Sequence, residues 1–287
     1  MALSEAVAMA RLGAADVAAG LALSDAAGWN QTADDWAFFI AHGHAIGHRC
    51  NDDDDSDGRL VATAAALPYG DALGWISMVL VAPSHRHRGL ATALLGECMQ
   101  WLATSGRVAV LDATPDGEPV YRRLGFAAGF AFARWQGGGG GKTTATTTSS
   151  SAEAEADRAV IVALDAAAGS ATRAALLRDF LSRPGSRAWL SPRRSGFVIA
   201  RAGRRATQVG PLIAASEAEA IALLDTALDA TPGRVFIDVP DRSAVITAAL
   251  TQRGFTRQRP FVRMARGDGS ALSLGDQAHA LAGPEFG

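Results

Sequence analysis

Arg86, His87 and Arg88 stand directly against Gly89 in the stretch VAPSHRHRGLATALL, residues 81–95. The apolar run ISMVLV before them reads as a strand. Leu90, Leu94, Leu95 and Trp101 recur at helical spacing, which predicts a helix burying that stripe on a sheet. Gly89, Ala91 and Thr92 put no bulky side chain in its first turn. A helix N-terminus carries unpaired N–H groups and partial positive charge, so the chemistry on offer is anion binding. Small residues let a phosphate or pyrophosphate approach the backbone, and Arg86 and Arg88 add charge and donors. A basic, solvated surface turn has the same composition. The ordered succession of strand, Val-x-Pro, basic turn, Gly-x-Ala and amphipathic helix favours the cradle.

A second chemistry-bearing residue, Tyr121, lies four positions before Gly125-Phe126 in VYRRLGF. Arg86-His87-Arg88-Gly89-Leu90-Ala91 after Val81-Ala82-Pro83, followed at this separation by Tyr121 and Gly-Phe, resembles the GCN5-related N-acetyltransferases over residues 60–135. GWNQTADDW (28–36) and the second half together resemble a bacterial-type tandem subgroup.

The resemblance implies that acetyl-CoA, as co-substrate, lies where two neighbouring strands splay apart. The backbone of Val79 and Val81 would pair with the pantetheine arm and thioester carbonyl. Arg86 and the N–H groups of His87, Arg88, Gly89, Leu90, Ala91 and Thr92 would hold the pyrophosphate. An amine then attacks the thioester directly in a ternary complex, and catalysis is positioning plus carbonyl polarisation. Tyr121 is the candidate general acid, since a phenol (about 10) can protonate a thiolate whose thiol titrates near about 8.5. The plainer alternative is a half-buried tyrosine that packs its ring.

The general base is not readable. GWISMVLV (74–81) has no carboxylate. Asp112 ends the next strand, but its repeat counterpart Asp238 makes a strand-end structural role the better reading for both. His42 and His44 titrate near neutrality yet equally suit a turn, and ordered water is a third candidate. Trp29 and Asn30 are the acceptor-contact candidates; the alternative is that Trp29 and Trp36 staple a helix start capped by Asn30 or Thr32.

These residues need elements to position them. Strands are expected at 4–10, 45–49, 59–67, 73–81, 107–113 and through 126–135. Helices are expected from near Asp16, over Thr32–Ala41, over 89–104 and over 117–124. Mixed helices and strands indicate an α/β or α+β mixed sheet. The polar run NDDDDSD (51–57) reads as a hairpin turn, lacking the spaced ligands of a calcium loop.

VAVLDATPDGEPVYRRLGF (108–126) resembles VFIDVPDRSAVITAALTQRGF (235–255), which suggests two copies of one fold. Gap-free alignment of ALL at 93–95 and 222–224 puts Ala215 opposite Arg86, Glu217 opposite Arg88 and Ala218 opposite Gly89. Leu250 takes the place of Tyr121. The second copy is expected to be degenerate, with Ser216 and Glu219 forming a capping box instead. The expected organisation is a catalytic domain 1–136, a flexible Gly/Thr/Ser linker 137–157, a degenerate domain 158–267 and a tail 268–287.

The 287 residues suffice for two domains, and a formal net charge of -2 speaks against a nucleic-acid partner. No run is long and apolar enough for a bilayer, and neither Cys50 nor Cys98 has metal-ligand spacing. The expectation is a cytoplasmic enzyme without metal, acting on a small-molecule or peptide amine. A non-catalytic acyl-CoA-binding or sensing protein is the alternative.

Overall fold

The computed structural model describes residues 7–50, 58–140, 150–151, 155–169, 172–267 and 274–287. The expected turn at 51–57 and most of the expected linker, 141–149 and 152–154, lie outside them. The chain divides into two compact units, Met1–Ala109 and Val110–Gly287.

In the first unit, strands β1 (Val7–Arg11), β2 (His44–Cys50), β3 (Arg59–Tyr69) and β4 (Leu73–Val81) form consecutive antiparallel pairs. Consecutive residues of β3 are buried, so both faces of the strand are covered. Helices α1 (Val17–Ala26), α2 (Ala33–His42) and α3 (Leu90–Thr104) all pack on it. Thr32 caps α2: its hydroxyl accepts from the Asp35 N–H while the Asp35 carboxylate accepts from the Thr32 N–H. Trp36 is completely buried, donates to the Ser24 hydroxyl at 3.0 Å and lies over Gly20, where a Cβ would come within 2.6 Å of its ring. The close approach of α1 and α2 therefore depends on a bare backbone at residue 20.

The buried stripe of α3 is Leu94, Leu95, Cys98 and Leu102. Leu90 and Trp101, expected in it, are only half-buried. The stripe follows four-residue spacing instead, and Leu102 fills the space left by Gly74, where a Cβ would come within 2.0 Å of it. Trp101 stands at the edge and stacks on His44, with ring centroids 5.1 Å apart.

The second unit holds one sheet in the order β5-β12-β6-β11-β10-β9-β8-β7, with β13 on β10. These are β5 (Val108–Ala113, which spans the division in sequence), β6 (Ala127–Gly139), β7 (Ser150–Ser151), β8 (Arg187–Leu190) and β9 (Phe197–Arg201). They continue with β10 (Thr207–Ile213), β11 (Gly233–Pro240), β12 (Thr256–Arg266) and β13 (Ala278–Ala280). Its helices are α4 (Glu118–Arg123), α5 (Glu155–Ala168), α6 (Ala174–Ser182), α7 (Glu217–Ala230) and α8 (Ala244–Gln252). Leu223, Leu224 and Leu228 of α7 and Ile246 and Leu250 of α8 form a core with Val209, Val235 and Ile237 of the sheet.

β6, read from sequence as closing the first domain, is hydrogen-bonded on one edge to β11 and on the other to β12. It also runs four residues further than expected, and the last three, Gly137, Gly138 and Gly139, are strand residues opposite Val235, Arg234 and Gly233 rather than linker. Packing requires bare backbone there. A Cβ at 137 would come within 2.4 Å of the Phe255 ring, and one at 139 within 2.2 Å of the Thr231 carbonyl. The chain re-enters a helix, α5, at Glu155.

Candidate functional site

β4 is not the plain strand that its sequence suggests. Its register with β3 slips between Thr63 and Ala65, and Met78 has φ 55°. One extra residue is thus accommodated on β4 as a β-bulge, a device that re-aims the backbone of the residues around it. The buried Thr63 hydroxyl donates to the Met78 carbonyl at 2.9 Å and fixes the bulge. Val79 and Val81, both half-buried, follow directly.

The basic turn begins with a 3-10 turn, Pro83–His85. Arg86, His87, Arg88 and Gly89 are exposed. His87 (φ 63°) and Gly89 (φ 79°) both have left-handed backbone, which for a histidine costs about 1 kcal/mol or more. Turn backbone of this kind gathers N–H groups on one side, the geometry of an anion-binding nest. Arg86 Nε donates to the Val81 carbonyl at 3.3 Å and an Arg88 Nη to the Ser84 carbonyl at 3.2 Å, so both arginines brace the turn.

Gly89 is the N-cap of α3 and supplies no capping side chain; the first intrahelical bond is from the Ala93 N–H to its carbonyl. The N–H groups of Leu90, Ala91 and Thr92 are therefore helix-end donors without an intrahelical acceptor. A Cβ built on Gly89 meets nothing within 4 Å. A pyrophosphate fits this open, uncapped, positively flanked helix end.

The corresponding helix end in the second unit is closed. Ser216 caps α7, its hydroxyl accepting from the Glu219 N–H. The Glu219 carboxylate accepts from the Ala215 N–H at 2.8 Å and the Ser195 hydroxyl at 2.6 Å, rather than completing the expected box on Ser216. Although desolvation opposes it, hydrogen bonds from Ser191, Ser195 and Ala215 hold this carboxyl below the usual range. A fixed carboxylate stands where an anion would bind.

Tyr121 lies on α4, half-buried, packed over Gly117 and edge-on to Phe126 at 6.1 Å. Burial pushes its phenol up to about 12. The Phe126 N–H donates to the Tyr121 carbonyl as the Phe255 N–H does to Leu250, so the two residues are structural counterparts and Leu250 has no hydroxyl to offer.

Asp112 is held by Arg263 in a two-pronged ion pair, 2.9 and 3.0 Å, with the carboxylate fully buried. Burial pushes its carboxyl up to about 6 against the pull of Arg263, with Asp238 and Glu285 adding to the rise. Asp238 is held in the same way by Arg134 at 2.9 and 2.8 Å, and by the Gln208 amide at 2.9 Å. His42 is exposed and stacked on Phe38. His44 is half-buried with Nε2 3.6 Å from Glu97, its pKa lowered by burial and by Arg11. Trp29 is half-buried, while Asn30 and Gln31 are buried. No group of three or more metal-ligating side chains occurs among the described residues. No helix among them is long and apolar enough to cross a membrane.

Sequence reasoning missed the bulge at Met78, because ISMVLV contains no residue that favours left-handed backbone. It also missed the arginines that hold Asp112 and Asp238, each more than a hundred residues away along the chain.

The family model described as "Acetyltransferase (GNAT) family" matches residues 22–126, and that described as "Acetyltransferase (GNAT) domain" matches residues 161–276. No curated protein matches the chain. A Pyrococcus horikoshii protein described as a candidate acetyltransferase is similar in structure at TM-score 0.81 and 15% identity, over 100% of this chain and 98% of that one. A tandem GNAT protein from the clavulanic acid biosynthesis pathway is similar at TM-score 0.64 and 16% identity, over 92% of this chain and 99% of that one. A GCN5-related N-acetyltransferase from Sphaerobacter thermophilus gives 0.62 and 12%, over 90% and 95%. These likenesses show the fold. Together, the two family matches and the shared architecture mean that the chain belongs to the GNAT acetyltransferases and carries two GNAT domains in tandem.

Proposed function

We propose that the chain is an acetyl-CoA-dependent N-acetyltransferase with a single cofactor site, built on the basic turn, that transfers acetyl directly to a primary amine. The carrying observation is the contrast between two helix ends. Gly89 leaves α3 uncapped, open and flanked by exposed Arg86, His87 and Arg88, whereas Ser216 and Glu219 close α7. On this reading the domain following the linker keeps the fold without the cofactor site.

Acetyl-CoA supplies the thioester carbonyl that the amine attacks. The Leu90, Ala91 and Thr92 N–H groups, with Arg86 and the backbone of His87 to Gly89, bind the pyrophosphate by charge-assisted hydrogen bonds. The bulge at Met78 turns the Val79 and Val81 backbone toward the pantetheine arm. Tyr121 holds a proton for the departing sulfur; with its phenol near 12 the hydroxyl stays protonated across the working range. It acts as a hydrogen-bond donor to the departing thiolate, because transfer from a phenol near 12 to a sulfur whose thiol titrates near about 8.5 is uphill, and the thiol's proton comes from the attacking amine along the water path. Asp112, committed to Arg263, is not assigned as base; a water-mediated proton path is. Trp29 and Asn30 are assigned to the acceptor side on the family resemblance alone. The two cysteines, both buried thiols, suit a reducing cytoplasm.

Calorimetric titration of acetyl-CoA into wild type and Gly89→Glu tests the cradle. One site in wild type, lost in the variant, is the expected result. Two sites would refute the claim that the second domain is degenerate, and no binding would refute the transferase reading. The absence of a carboxylate from β4 favours a second reading, an acyl-CoA-binding or sensing protein without turnover. Assay against a panel of amines separates the two.

A further inference from the structure

β10 and β11 run parallel and paired only at Thr207, Gln208 and Val209 opposite Val235, Phe236 and Ile237. Beyond Val209 they part, and the gap is filled by another piece of the chain. β13 pairs antiparallel with β10, Leu212 opposite Ala280 and Ile213 opposite Ala278, while Leu281 bridges to Asp238 of β11. The Leu281 N–H donates to the Asp238 carbonyl at 2.8 Å, and the Ala214 N–H donates to the Gln277 carbonyl at 2.9 Å. The inserted segment is thus hydrogen-bonded on both edges, as a strand laid into a splayed sheet is in β-augmentation.

Its fit is built on both sides. Ala278, Ala280, Leu281, Ala282 and Phe286 are buried, with Phe286 edge-on to Phe180 at 5.1 Å. Gly210 is obligatory opposite the segment, because a Cβ there would stand 2.0 Å from the Leu281 carbonyl oxygen, and its φ of 144° disfavours other residues. Three arginines clamp the ends. Arg201, 1% exposed, pairs with Glu285 at 2.8 Å and donates to the Ala282 carbonyl at 2.7 Å. Arg173 donates to the carbonyls of Phe286 and Gly287, and Arg242 pairs with Asp276 and donates to the Gly275 carbonyl.

The geometry points to a peptide-receiving cleft in the second unit, between β10 and β11, whose resident ligand is this chain's own segment Leu274–Gly287. The cleft recognises an extended backbone with small residues at 278, 280 and 282, an acid at 285 that meets buried Arg201, and an aromatic at 286. In the repeat, β10 precedes α7 as β4 precedes α3. The docked segment, together with Glu219, therefore occupies the place that the proposed function gives to acyl-CoA in the first half. That correspondence rests on the proposed function; the peptide cleft does not.

The test uses no acyl-CoA, so its failure and that of the transferase reading are distinguishable. A chain lacking residues 274–287 should melt below the intact chain, and a synthetic peptide of residues 274–287 should bind it one-to-one and restore the melting temperature. The same peptide should not bind the intact chain. A shortened chain that melts like the intact one and ignores the peptide overturns the proposal. Should the shortened chain not fold, hydrogen exchange on the intact chain decides. The Leu281 and Ala214 amides should exchange as slowly as the Ile237 amide in wild type, and faster in Glu285→Gln/Phe286→Ala. Exchange at the rate of a free peptide in wild type, or no change in the double variant, overturns it.

Discussion

Arg134 on β6 holds Asp238 on β11 in a two-pronged ion pair across 104 residues of chain, and Arg263 on β12 holds Asp112 on β5 in the same way across 151. Asp112 and Asp238 are counterparts in the repeat, and each is gripped by an arginine from the other half. Between the two pairs, β6 and β12 lie side by side with Phe132 stacked on Phe261 at 5.0 Å. The strands that end the two halves of the repeat have exchanged places. Both carboxylates are committed to ion pairs that join the two halves of the repeat.

That assignment predicts a large cost for breaking one pair and a small one for removing both. Arg263→Met should destabilise the fold by about 3–5 kcal/mol, leaving Asp112 buried and unpaired, and Arg263→Met/Asp112→Leu should regain most of it. Urea unfolding of the two variants measures this. A single-variant loss below about 1 kcal/mol, the range of exposed pairs, would contradict a joining role.

The bulge at Met78 depends on one hydroxyl. Thr63→Val removes the donor to the Met78 carbonyl and should cost about 1–3 kcal/mol for the buried acceptor left unpaired. Relaxation of the bulge should also weaken acetyl-CoA in calorimetry. Unchanged affinity would separate the bulge from the cofactor.

Tyr121→Phe removes one donor to the charge developing on sulfur, and should leave acetyl-CoA affinity intact while lowering turnover by about 10²-fold. Because burial pushes this phenol up to about 12, its ionisation should produce no alkaline fall in activity below pH 10. A fall near pH 10 that disappears in the Phe variant would show a tyrosine titrating as in water.

His48 on β2 is buried, and burial lowers its pKa against the opposing pull of the Ala8 backbone. A lowered pKa means that the folded state prefers the neutral ring. The associated stability is present above about pH 6.5, the unfolded value, and is lost as pH falls through the folded one. His48→Gln should therefore melt with less dependence on pH between 7 and 5. An unaltered slope would assign the acid sensitivity elsewhere, to His44 for instance, whose pKa burial and Arg11 also lower.

Local chemistry was legible in the residue order. Thr32 at the head of its helical pattern announced a capped helix, and Gly89 with small residues after three basic ones announced a helix end suited to an anion. Such features depend on side chains a few positions apart, where spacing alone decides which groups meet. Comparing the two copies also set Glu217 opposite Arg88 and Leu250 opposite Tyr121, and residue type alone says that neither offers the group it faces.

Pairings over a hundred residues were not legible, because no local pattern says which strand will lie beside which. That Gly137 to Gly139 form a strand followed from the rings and carbonyls packed over them; by composition alone they read as a linker. That Asp112 is spoken for followed from Arg263, and that residues 274–287 are built in followed from the gap left where β10 and β11 part. Spacing along the chain told which local elements form and which of the two copies follows basic residues with an uncapped helix end. Which buried charges are neutralised and which backbone edges are filled came from the folded arrangement, because those depend on partners that folding alone brings together.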